Sequence, residues 1–294
     1  MLAYIINLVT LISINAVLAI TLNFIMGYAG IFSMAHAVFF GVGAYTAAYF
    51  ALNVSASFFL AVPVAMLAAA VLSLVLALPA LRVRGEYFVA ASLGLQVLGV
   101  TIFSEWKGFT GGLGGLIGIP PVEFFGYGLS SNTQYMVLAL ACLLLVVLVT
   151  TVLLRSSFGR NLKAIRDSES AAHAFGKNVA TIKTLSVAIS AALTAVAGAL
   201  YAFYLGFINV ESFMLDTSVL LMAMVIIGGT GTLLGPIVGA MLLMLLPSLF
   251  SYMWFLPATE IGSIQQIAYG AAMILLMIYR PGGLVGASKK QVAK

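Results

Sequence analysis

The chain has 294 residues, of which 63% are hydrophobic and only 7% charged. A water-facing surface usually takes about a quarter charged residues, so a soluble globular domain is excluded and the bilayer becomes the solvent for most of the exterior. The net charge of +5 does not mark a nucleic-acid binder, because the basic residues sit in short stretches between apolar runs and read as topology signals.

Backbone groups in hydrocarbon need internal partners, which leaves helices or a closed barrel. The apolar runs are continuous and do not alternate, so helices are predicted. The fold class is an all-α polytopic transmembrane helical bundle of roughly nine spans, a single membrane domain over residues 1–294. In chain order the spans fall near 3–26, 32–51, 57–80, 87–104, 134–154, 184–207, 213–228, 236–252 and 263–280. The first has no basic flank and reads as a span, not a cleaved leader. The stretch 213–252 admits two short spans, or one span and a re-entrant segment. Cys142, alone of its kind, forms no disulfide within the chain and reads as a packing residue.

The positive-inside rule orients these spans. With Arg82, Arg84, the segment 155–183 and the tail 281–294 inside, every Lys and Arg except Lys107 lies on the cytoplasmic side. The N-terminus is then outside and the C-terminus inside. The outer loop 105–133 is glycine-rich and contains Pro120 and Pro121, which interrupt regular structure. The segment 155–183 is the long charged stretch. Its residues 161–176 read as helix, with Asp167, Ser168 or Ser170 as caps and Gly176 as terminator. In the span that follows, Ser186, Ser190, Thr194, Gly198, Ala202 and Gly206 recur every fourth residue, a spacing that lets helix backbones approach closely.

Two apolar runs are interrupted by glycine. One carries Gly27, Gly30, Gly41 and Gly43, with Ser33, His36 and Tyr45 between or beside them; the other carries Gly228, Gly229, Thr230, Gly231 and Gly235 before Pro236. The second lacks the Lys and Ser/Thr ending of a P-loop, so nothing in it binds ATP in the usual way. Paired broken segments point to a solute pathway in transporters. Ser33, His36, Gly41, Tyr45, Gln96, Gly228, Gly229, Thr230, Gly231 and Gly235 are therefore the pathway candidates. His36 lies within a span, where an ionisable residue is a functional candidate. It reads foremost as a neutral packing group held by Ser33, Tyr45 and backbone carbonyls, and as a proton relay in the alternative. Gln96, deep in a span, needs a hydrogen-bond partner. No HExxH, CxxC or GxSxG occurs, so no metal ligand set or catalytic residue is nominated.

Several stretches together resemble the permease subunits of branched-chain amino acid ABC importers, of the LivM type. These are SMAHAVFFGVGAY from Ser33, LRVRGEYF from Leu81, TGGLGGLIGIP from Thr110, SFGRNLKAIRDSESAAHAFGKN from Ser157, ALYAFYLGFINVESF from Ala199, VIIGGTGTLLGPIVGA from Val225 and YRPGGLVG from Tyr279. The resemblance implies a non-enzymatic permease subunit in a bacterial inner membrane. Its implied partners are a second homologous permease, two ABC ATPase subunits that bind ATP and magnesium, and a periplasmic or lipid-anchored solute-binding protein. Its implied cargo is a branched-chain or related amino acid, with urea or a short amide as the alternative within the family. It also implies a coupling helix over Ala164 to Gly176 that docks on the ATPase. There Arg166, Asp167 and Glu169 form a polar rim, and Ala171, Ala172 and Phe175 the apolar contact. A rival from another class is a secondary transporter or channel that works alone.

Overall fold

The computed structural model describes residues 2–80, 85–124, 127–129, 131–251, 261–279 and 282–285. Arg82, Arg84, Glu260, Arg280 and the lysines of the tail lie outside the described residues; the described basic residues are Lys107 and those of 155–183.

Each predicted apolar run coincides with a helix. The chain runs α1 (Leu2–Asn23), α2 (His36–Asn53), α3 (Phe58–Ala80), α4 (Gly85–Glu105), a short turn α5 (Lys107–Thr110), α6 (Asn132–Arg155), α7 (Ser157–Asp167), α8 (Glu169–Ala174), α9 (Val179–Leu205), α10 (Leu215–Gly228), α11 (Gly235–Ser251) and α12 (Ile261–Tyr279). The helices are not alike in reach. α1 with the turn that follows it, α4, α6 and α9 are each long and apolar enough to cross a bilayer. α10 has 14 residues, about 21 Å at 1.5 Å per residue, against a hydrocarbon core of about 30 Å. Counting apolar runs therefore does not fix the number of complete crossings.

Burial separates centre from periphery. The apolar stretch of α9 is 78% buried against protein, against 28% for α4 and α6, so α9 is central while α4 and α6 turn large faces to lipid. α9 packs along α2 and α3, and α1 packs along α6, α9, α10 and α11. From Ala16 to Ala29 α1 and its extension are buried on every side. A helix apolar all round belongs in the middle of a bundle.

The small-residue stripe explains the α2–α9 contact. Ser186, Ser190, Thr194, Gly198 and Ala202 are all buried. A Cβ on Gly198 would collide with Phe40 O, Ala44 N and Gly43 C of α2, and one on Gly43 with the backbone of Ala195. The two helices thus cross on reciprocal glycines. Gly206 does not continue the stripe. Its φ of 71° ends α9, and its N–H caps Ala202 O at 3.0 Å.

The glycine-rich loop between α4 and α6 is folded in its described residues. Thr110 Oγ1 donates to the carbonyls of Phe103 and Trp106 and accepts from Gly112 N–H. Gly111, Gly112, Gly115 and Gly118 supply the left-handed turns. Strand β1 (Leu116–Ile117) pairs antiparallel with Phe207–Ile208 after α9, and Glu123–Phe124 forms a small hairpin with Tyr127–Gly128. A capping box at Ser131 starts α6: Thr133 N–H donates to Ser131 Oγ, and Ser131 N–H to Gln134 Oε1.

Close backbone contact at Gly198 makes a sharp expectation. Gly198→Ala should lower stability by about 2 kcal/mol through overpacking, read as earlier thermal unfolding in detergent. Gly94→Ala, at a helical glycine with nothing within 4 Å of the added Cβ, should leave it equal or slightly higher.

Candidate functional site where two broken helices meet

The first break begins at the end of α1. Phe24–Tyr28 form a π turn, Gly30 takes φ 70°, and Ile31 N–H reaches back to Ile25 O at 3.0 Å. This is a Schellman-type closure stretched by the extra residue of the π turn. Residues 30–35 are not helical. Their N–H groups, and those opening α2, need partners inside the bundle. Neighbouring serines supply them. Met34 N–H donates to Ser92 Oγ of α4 at 3.0 Å, Ala35 N–H to Ser33 Oγ at 3.3 Å, and Ala37 N–H to Ser218 Oγ of α10 at 3.0 Å.

The second break, residues 229–234, turns the chain from α10 into α11. Thr232 Oγ1 donates to Gly229 O at 2.9 Å and accepts from Gly235 N–H at 3.0 Å. A Cβ on Gly228, Gly235 or Gly239 would strike backbone of the opposing arm, so the two arms leave the turn in backbone contact. Gly229 at φ 124° and Gly231 at φ 75° hold conformations that L side chains rarely adopt. The described piece of tail joins here. Leu284 N–H donates to Ile227 O and Val285 N–H to Gly228 O, each at 3.0 Å, closing carbonyls at the C-terminus of α10.

The two breaks touch. Asn23 Nδ2 donates to Thr232 O at 2.7 Å, and Asn23 Oδ1 accepts from Gly231 N–H at 2.9 Å. One amide therefore satisfies a donor and an acceptor of the other break. Gly27 lies against Gly231, with no room for a Cβ between them.

A third element reaches the crossing. α7 buries Gly159, Leu162 and Ile165. Arg166 Nη1 then donates to Gly27 O at 2.9 Å, while its Nε and Nη2 hold Asp167 Oδ1 at 3.0 and 2.9 Å. Lys163 Nζ sits 5.8 Å from the centre of the Tyr28 ring, within cation–π range.

The segment read as helix over 161–176 is helical in two pieces, and Ser168, one of the three expected caps, divides them. Ser168, with φ −160° and ψ 108°, leaves the helical region, and its hydroxyl accepts from Ala171 N–H to cap α8. A serine that offers the backbone a side-chain partner competes with helix continuation. Gly176 at φ 73° ends the element, as expected, and α9 starts at Val179 with Asn178 as its cap, earlier than predicted. The assignment of faces also changes. Ala172 is buried with Ile165 and Val179, so it is internal packing and not outer contact. Arg166, Asp167 and Glu169 stay exposed, as expected of a polar rim, with Glu169 tied to Lys183 at 2.7 Å and Arg166 reaching Gly27 O with one edge of its guanidinium. Ala164, Ala171 and Phe175 are exposed, Phe175 at 85%.

Of the other side-chain candidates, Ser33, His36, Tyr45 and Gln96 are buried. His36 is 0% exposed, and its Nε2 lies 3.0 Å from Thr21 Oγ1 and 2.9 Å from Thr194 Oγ1, in place of the expected Ser33 and Tyr45. Thr21 can spend its proton on Leu18 O and Thr194 on Ser190 O. Nε2–H then donates to both hydroxyl oxygens, a neutral tautomer that leaves Nδ1 without a partner. Tyr45 stacks with Phe103 and Phe213, and a Cβ on Gly41 already stands 2.6 Å from Phe103 Cε2. Gln96 Nε2 donates to Phe213 O at 2.8 Å. Thr230 is exposed at the tip of the second break. A cavity of about 560 Å³ between α10, α11 and α12 is lined by Asp216, Thr217, Leu220, Met244, Gln266 and Tyr269 among others, and by none of the predicted pathway residues. Sequence reasoning missed Asn23, Thr21, Ser92 and Ser218 as builders of the site; each is a polar residue inside an apolar run, and that was the available signal.

The family profile described as the permease component of branched-chain amino acid transport systems matches residues 4–279. The chain is 31% identical over 278 residues to the high-affinity branched-chain amino acid transport system permease protein LivM of Salmonella typhimurium and to that of Escherichia coli. Each match covers 86% of this chain and 63% of the relative, so the chain spans less than two thirds of their length. It is 26% identical to a probable LivM permease of Methanocaldococcus jannaschii, over 77% of this chain and 67% of that one. No solved structure matches.

The crossing depends on Asn23. Asn23→Ala leaves Gly231 N–H and Thr232 O without partners at a cost of about 1–3 kcal/mol, and should lower the thermal midpoint while raising protease cleavage near residue 231. Asn23→Asp should not restore it, since a carboxylate cannot donate to Thr232 O.

Proposed function

The chain belongs to the permease family of branched-chain amino acid transport systems, and from that premise we propose that it is one transmembrane subunit of an ATP-binding cassette importer. A second, homologous permease completes the pathway, and the cargo is a branched-chain or related amino acid. Two ATPase subunits, which bind ATP and magnesium, dock on α7–α8. A periplasmic or lipid-anchored binding protein delivers cargo to the face bearing the glycine-rich loop. The membrane is the bacterial inner membrane. Among the described basic residues, Arg155, Arg160, Lys163, Arg166, Lys177 and Lys183 gather around α7–α8, and Lys107 stands alone in the loop. That asymmetry supports α7–α8 inside and the N-terminus outside.

One observation carries the docking role. Phe175 projects 85% exposed from a short element outside the spans, and that element is anchored by the Ile165–Ala172–Val179 cluster and the Glu169–Lys183 pair. A large apolar side chain on a braced element suits insertion into a groove of a partner, and a braced element transmits rigid-body motion. A lone proton-driven carrier is less well supported, because His36 is enclosed among hydroxyls and, among the described residues, has no ionisable neighbour in hydrogen-bond contact.

In sealed inside-loaded vesicles holding the whole complex, uptake should need internal ATP and persist when an ionophore collapses the proton gradient. Phe175→Asp should abolish uptake and release the ATPase subunits on purification. Uptake by the purified single chain on a proton gradient would overturn the reading. Leucine, and not urea, should compete for the delivered cargo; the reverse result moves the cargo to the urea or short-amide branch.

A further inference from the structure

We propose that Arg166 is the positioning residue that locks the α7–α8 element to the crossing of the two broken segments. This rests on the importer reading above and names how movement of the docking element would reach the membrane core.

The geometry is specific to this side chain. α7–α8 is joined covalently to α6 and α9, whereas the breaks belong to α1–α2 and α10–α11. Arg166 bridges that gap from 139 positions along the chain. Its stem lies over Gly30, where an added Cβ would stand 3.2 Å from Arg166 Cγ. Its guanidinium bonds Gly27 O, in the last turn of the α1 extension where unsatisfied carbonyls carry partial negative charge. The same Nη1 would be 3.5 Å from a Cβ on Gly231 of the second break. Asp167 holds the other edge of the guanidinium, so the fork is oriented before it meets the carbonyl. Lys163 over Tyr28 adds a contact one turn earlier on the same face of α7.

Ser168 divides two opposite tasks. On its N-terminal side Arg166 reaches the first break at Gly27 O; on its C-terminal side Phe175 projects outward. A displacement imposed at Phe175 passes through α8 and α7 to Gly27 O, and there meets both breaks, because Asn23 already joins them. Lysine cannot replace this. It offers a compact ammonium and not a planar fork that serves a carboxylate and a carbonyl together.

The test uses the complete complex in vesicles and reads two quantities: the ATPase subunits retained, and the ATP hydrolysed per amino acid taken up. Arg166→Gln should retain the ATPase subunits and raise the ATP spent per solute about ten-fold, the scale of a coupling lost between linked sites. Arg166→Lys should lie between it and the parent. If Arg166→Gln does not accumulate, Asp167→Asn, which keeps the guanidinium but removes its orienting carboxylate, should show a smaller rise in the same ratio. An unchanged ratio in the variants that accumulate overturns the proposal, as does loss of the ATPase subunits, which would make Arg166 a docking residue. A parent complex that takes up solute without ATP removes the importer reading itself.

Discussion

The organisation of this protein depends on one constraint: a backbone that leaves helical conformation inside a membrane must find its hydrogen-bond partners in protein. Among the described residues two such departures occur between packed apolar helices, at residues 30–35 and 229–234. Neither could stand alone in hydrocarbon. They are pressed together so that Asn23 serves both Gly231 N–H and Thr232 O, and Ser33, Ser92, Ser218 and Arg166 meet further backbone groups at and beside the first break. The described tail closes Ile227 and Gly228 carbonyls in the same way. Glycine is required here for space as well as conformation. Gly27, Gly228, Gly235 and Gly283 lie where any Cβ would enter another backbone.

From that crossing follows a division of labour. α1 and α9 form the buried centre, stitched by Thr21, Ser190, Thr194 and His36. Polar side chains that satisfy one another in this way fix helix rotation and depth more sharply than apolar packing does, since a slip of one residue would leave several groups unpaired. α4 and α6 face lipid. α7 and α8 are short elements outside the long helices; Leu162 of α7 packs into the main core, and Arg166 ties α7 to the first break. A rigid attachment at a helix break is where small movements can be absorbed by backbone torsions.

Much of this was legible in the sequence. Apolar runs placed the helices, the glycine clusters placed the breaks, and the four-residue stripe from Ser186 to Ala202 placed the buried face of α9. These are local properties, read from composition and period. Several particular readings gave way. Of the three expected caps only Ser168 divides α7 from α8, and Ala172 turns inward although its neighbour Ala171 does not. His36 finds Thr21 and Thr194 because they lie on helices that pack beside α2, and sequence proximity to Ser33 and Tyr45 carries no such information. Residues 81–84 of the stretch 81–88, residues 280–281 and 286 of the stretch 279–286, and the basic tail lie outside the described residues.

The sequence by itself determined that the chain is a helical membrane protein, where its helices run, and where glycine interrupts them, because each of these depends on neighbouring residues and on the solvent they must face. The tertiary structure decided that the two interruptions meet, that Asn23 joins them and that Arg166 reaches them from 139 positions away. Those contacts depend on the rotation and depth of helices distant in sequence, which are set when their surfaces pack and their buried polar groups find one another.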